Sequence, residues 1–164
     1  MNNLISRGCK VQTVISQSLY SNAFELFIFN TRQNMNMGVN KWLKKVGYKS
    51  KYDPDLGAAG LIYENNKNQE IEFEGEDYKL FAAMFLNEED LHVNIIAHEV
   101  THIALTLERN ILRFVGVYDG NDGTGNAPEE RLAYTIDEFM EKIIRVCIDK
   151  KVKLTLVAAD KKKK

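Results

Sequence analysis

At 164 residues with 45% hydrophobic composition, the chain has the size and apolar content of one ordinary domain able to bury a real core. A net charge of −1 excludes a global basic field of the kind that would hold nucleic acid or an anionic membrane. The first ten residues lack an apolar h-region, no apolar run approaches membrane-spanning length, and Cys9 and Cys147 are too few and too far apart for a secreted disulfide framework. The expectation is a soluble cytoplasmic domain over residues 1–160 with reduced, mostly buried thiols, followed by a solvated lysine tail at 161–164.

In chain order, residues 11–20 fit helix and strand equally well. Residues 23–30 (Ala-Phe-Glu-Leu-Phe-Ile-Phe-Asn) are short, aromatic and bounded by polar residues, as a buried strand would be. Residues 34–46 place Met35, Val39, Trp42, Leu43 and Val46 at helical spacing, with Lys41, Lys44 and Lys45 on the solvated side and Gly47 as the terminator. A loop follows over 52–60, marked by Asp53-Pro54 and Gly57. Residues 61–64, 69–74 and 78–86 then read as three strands joined at 65–68 and 75–77. The middle strand alternates Glu70, Glu72 and Glu74 against Ile71 and Phe73, which gives it one wet face, whereas the third is apolar on both.

Residues 87–90 (Asn-Glu-Glu-Asp) supply a capping residue and an acidic first turn for a helix that carries His98-Glu99-Val100-Thr101-His102. On a helix, residues at i and i+4 stack on one face, so both imidazoles can reach one metal ion while Glu99 lies about 100° around the axis. This is the H-E-x-x-H zinc pattern. Val93, Ile96, Val100, Ile103 and Leu107 fall nearly opposite the histidines, as the stripe that would lie on a sheet. Leu91, Ile95 and Leu105 lie on the histidine side, and Asp90, Asn94, Thr101 and Glu108 form a polar strip between. The pattern predicts a central helix covered on two sides and wet only along that strip.

Residues 115–127 contain four glycines and are too polar to pack, which predicts a loop beside the cleft; Asp119, Asn121 and Asp122 have the wrong spacing for a calcium loop. After Pro128, Leu132, Ile136, Phe139, Met140, Ile143 and Cys147 trace one apolar stripe of a second long helix, with Glu129 and Glu130 in its first turn. Glu129 falls in the middle of that stripe and Glu130 about 100° from it.

The pentapeptide and its apolar setting resemble the active-site helix of the zincin metallopeptidases, and the strand, helix, three strands, metal helix order is similar to the compact N-terminal half of those enzymes. The metzincin continuation is absent, since Leu105 stands where its glycine would be and Glu108 where its third histidine would be. Zincins with a glutamate third ligand place it near the start of the next helix, with a small residue three positions on. Glu130-Arg131-Leu132-Ala133-Tyr134 is similar to that pattern, and to a Glu-x-Leu-Ala-Tyr run in small phage-encoded proteins carrying an H-E-x-x-H helix. The usual aspartate four residues after the ligand is Tyr134 here. The resemblance therefore implies an α+β zincin-like domain in which a small, mostly antiparallel sheet packs against the H-E-x-x-H helix and a following C-terminal helix. It implies Zn2+ held by His98, His102 and Glu130, with Glu129 the competing third ligand, and Glu99 as general base in hydrolysing a peptide or protein substrate. Tyr134, Tyr118, Arg131 and His92 are candidates for stabilising the oxyanion. Two other readings use the same ligands: a zinc-binding domain with a structural or partner-binding role, and a zinc amidase of another substrate class. If phage-encoded, the chain would work in the host-cell cytoplasm, with no nucleic-acid or membrane partner.

Overall fold

The computed structural model describes residues 8–18, 21–48, 58–62, 69–115 and 128–156. Its elements run β1 (Cys9–Ser16), β2 (Asn22–Phe29), α1 (Arg32–Lys45), β3 (Ala59–Ile62), β4 (Gln69–Phe73), β5 (Glu76–Asn87), α2 (Val93–Val115) and α3 (Pro128–Asp149). The ambiguous N-terminal segment is thus a strand as far as Ser16, set by its antiparallel pairing with β2, while residues 19–20 lie outside the described residues.

The two strands that are apolar on both faces take the middle of the sheet, because only there are both faces covered. β2 and β5 pair in parallel, β1 flanks β2, and the far edge of β5 is shared by β3 and β4, both antiparallel to it. β3 lies against the second half of β5 (Ile62 opposite Ala82) and β4 against the first (Gln69 opposite Leu80). The domain is α+β with a mostly antiparallel sheet, as expected. Between the Ala23–Leu80 and Phe24–Ala82 pairs, Phe81 is an extra residue in β5, so Phe81 and Ala82 face the same side. The β4–β5 hairpin turns at Glu74 (φ 54°) and Gly75 (φ 84°), the two left-handed positions of a type I′ turn, which places Glu76 and Asp77 inside β5 instead of in the turn.

One face of the sheet is closed by α1. Met35, Val39, Trp42 and Leu43 pack on Val14, Phe27, Phe29, Leu80 and Phe85, with the Phe27 and Phe85 rings stacked at 4.9 Å. Thr31 caps α1 by accepting from the Asn34 amide at 3.2 Å, which starts the helix before the predicted residue 34, and Gly47 (φ 83°) ends it. The other face is closed by α2 and α3, whose Ile96, Val100, Ile103, Leu107, Phe139, Ile143 and Cys147 pack on Phe24, Leu26, Ile28, Met84 and Leu86.

The start of α2 departs from expectation. Asn87 is the last residue of β5, and α2 begins only at Val93, with no acidic residue in its first turn. The acidic residues after β5 are engaged elsewhere: the Arg32 guanidinium donates to both Asp90 oxygens at 2.9 and 2.7 Å, and the Arg32 amide donates to Glu89 at 2.9 Å. One free donor at the head of α2 is met by the chain's C-terminal segment, where the Thr155 carbonyl accepts from the Val93 amide at 3.1 Å. Thr155 in turn donates to the Leu91 carbonyl through its amide at 3.2 Å and its hydroxyl at 3.0 Å. Among the described residues, no helix is long and apolar enough to cross a membrane.

Candidate metal centre

Ile96, Val100, Ile103, Ala104 and Leu107 lie against the sheet, and helical geometry sends His98 and His102 to the opposite side of α2, where both rings are exposed. The expected second cover is therefore absent over these rings among the described residues: of the apolar residues expected on that side, Leu91 is buried but precedes α2, and Ile95 and Leu105 are only half-buried. Nor is the polar strip as predicted. Asn94 is exposed, Thr101 is half-buried with its hydroxyl donating to the Ala97 carbonyl at 2.7 Å, and Glu108 is buried at 5% exposure.

The two Nε2 atoms of His98 and His102 stand 3.2 Å apart, with ring centroids at 4.7 Å and planes at 82°. A cation held at roughly 2.0–2.1 Å from each nitrogen would subtend an angle of roughly 100–106° between them, close to tetrahedral, so the pair fits zinc as a bidentate donor. Glu99 is half-buried beside them, and its helical position is on the flank of α2 away from Glu108.

Glu130 and Glu129 stand in the first turn of α3, and their side chains lie outside the described residues, as do Tyr118 and the glycine-rich loop. Among the described residues, no third His, Cys, Asp or Glu joins the histidines. Cys147 is held away from them in the core, where burial, with a smaller contribution from the charge of Glu88, pushes its thiol up to about 11. Of the oxyanion candidates, Tyr134 is 62% exposed, while His92 precedes α2 and bridges to Thr155.

Comparison of the chain with family models, with curated proteins and with solved structures returns no match.

Arg131 is the residue whose place sequence reasoning missed. The fully buried line of α3 runs Arg131, Thr135, Phe139, Ile143, Cys147, whereas Leu132 and Ile136, expected in the stripe, are half-buried. The reason is tertiary. Arg131 donates from Nε to Glu108 Oε2 at 2.7 Å, and one turn on, Thr135 accepts from Gln17 Nε2 at 3.0 Å. The only signal in the sequence was a pair of opposite charges, Glu108 and Arg131, on the two long amphipathic helices, about 100° and 130° from the centres of their apolar stripes.

Proposed function

We propose that the chain is a zinc-dependent peptidase of the zincin type, with His98, His102 and Glu130 as ligands and Glu99 as general base. The observation that carries this reading is the convergence of two exposed imidazole nitrogens to 3.2 Å with a carboxylate one residue along. The family pattern around Glu130 supplies the third ligand. When bound, zinc would polarise a substrate carbonyl and bring the pKa of a water towards about 7. Glu99 is then the group that takes a proton from the attacking water as the new C–O bond forms, and returns it to the leaving amine as the C–N bond breaks. The aliphatic packing beneath α2 fixes the helix on which all three residues stand, so their spacing is set by the backbone. Exposure of both rings favours a site that admits substrate over a closed structural site, and a base at position 99 has no use in the latter.

The test is peptide-library cleavage with and without a chelator, comparing the chain with Glu99→Gln. The expected outcome is one zinc per chain in both, with cleavage by the first alone, because the carboxamide keeps the shape but accepts no proton. Absence of stoichiometric zinc sinks the proposal. Zinc without cleavage of any peptide favours the structural or amidase reading, and full activity of Glu99→Gln removes Glu99 from the chemistry.

A further inference from the structure

The described residues of the α2–α3 layer are apolar inside except at one place. Gln17, Glu108, Arg131 and Thr135 are four of the five buried polar residues described, and they form two contacts one helical turn apart along α3. The Glu108–Arg131 pair is almost fully enclosed, with Arg131 at 3% exposure, and Glu108 Oε1 has no hydrogen-bond partner among the described residues. Such a pair is a poor source of stability, because desolvating both charges consumes most of their mutual attraction, and apolar side chains of similar size hold helices together as well or better. What buried polar and ionic groups supply in some proteins is a single arrangement of the elements they join, and that is the role considered for this pair.

Its location gives that arrangement a use. Arg131 follows Glu130 directly, and Glu108 is on the histidine helix six residues beyond His102, or roughly 9 Å along the axis. We infer that Arg131, locked by Glu108 and seconded by the Gln17–Thr135 bond, is a positioning residue that fixes the rotation and axial setting of the first turn of α3 and so delivers the Glu130 carboxylate to the histidine pair. The inference rests on the ligand assignment proposed above. Arg131 touches neither metal nor substrate in this scheme. Rotating α3 by one residue would swing Glu130 by about 100°.

The experiment is a double-mutant cycle on zinc affinity, measured on the full chain by competition with a chromogenic chelator. It compares wild type, Arg131→Met, Glu130→Ala and the double variant, with helicity followed by circular dichroism in the absence of zinc. Arg131→Met is expected to keep its helicity and to weaken zinc binding by about 10- to 100-fold, the range seen when residues supporting a metal ligand are removed. In the Glu130→Ala background the same substitution is expected to change affinity less than about twofold, since there is no carboxylate left to position. Equal losses in both backgrounds, or no loss in the first, overturn the inference. Glu130→Ala with unchanged affinity overturns the ligand assignment and the inference with it. If Arg131→Met fails to fold, Glu108→Gln, which keeps the shape and an accepting oxygen, provides the same cycle, with a smaller loss expected on the Glu130 background and none on Glu130→Ala.

Discussion

The two faces of the sheet are built on different terms. Under α1 the packing is aromatic, with Phe27 and Phe85 stacked and Trp42 set edge-on to Phe85 at 5.7 Å. Under α2 and α3 it is largely aliphatic, and it encloses a charged pair at one end while leaving two imidazoles exposed on its outer side. Among the described residues, the α1 face buries one polar side chain, Asn87, whose amide donates to Met35 Sδ at 3.7 Å. The α2–α3 face buries four, two of them charged, and carries two histidines side by side on its outer side.

That contrast can be broken most forcefully on the α1 side. Phe85→Ala removes a fully buried ring from between Phe27 and Trp42 and should lower unfolding free energy by about 3–5 kcal/mol in chemical denaturation, while zinc affinity of the molecules that remain folded stays unchanged. A parallel loss of zinc affinity would show the two faces to be coupled. On the other face the pattern should invert. His98→Ala should abolish stoichiometric zinc, yet shift metal-free stability by no more than about 0.5 kcal/mol, because the ring is exposed and packs on little. A large metal-free destabilisation would make His98 a structural residue.

The smallest expected effect is electrostatic. Burial raises the Glu138 carboxyl, but the Lys142 ammonium at 2.7 Å and the Ser18 amide at 2.9 Å outweigh it and hold the group below its ordinary 4.5. Because the folded-state value is the lower one, the stabilisation is complete above pH 4.5 and is lost as pH falls through the folded value. Glu138→Gln should therefore cost a few tenths to about 1 kcal/mol near neutrality and progressively less in acid, since the site is partly solvated. Urea titrations of both chains at pH 7 and pH 3 check this, and a difference that grows in acid would reverse the assignment.

Much of the fold was legible because local pattern and final environment agree. Residues 23–30 and 78–86 read as buried strands and are the two strands covered on both faces, and Gly47 ends α1 where a left-handed residue is needed. The H-E-x-x-H pair was equally legible, since i and i+4 positions on a helix converge whatever surrounds them. What the sequence hid depended on partners far along the chain. Asn87 to Asp90 look like the head of α2, but Arg32 claims Asp90 from 58 positions away. Leu132 and Ile136 outrank Arg131 and Thr135 in hydrophobicity, and only Glu108 and Gln17, 23 and 118 positions away, turn α3 to bury the polar pair. Thr135 carried no signal of that kind, because a hydroxyl has no charge to match across the chain.

The C-terminal segment also bears on the order in which this protein can be finished. The Leu91 carbonyl and the Val93 amide find their partner in Thr155, which lies 64 positions after Leu91. At ribosomal rates of about 5–20 residues per second, that separation corresponds to roughly 3–13 s between synthesis of the two ends of the contact. The histidine helix has all of its residues once Val115 is made, 40 positions before Thr155, so for roughly 2–8 s of that interval it is complete but its Val93 amide lacks the Thr155 acceptor. Until Thr155 is made, a nascent chain thus carries His98 and His102 on a helix whose leading amide, that of Val93, has no Thr155 carbonyl to donate to.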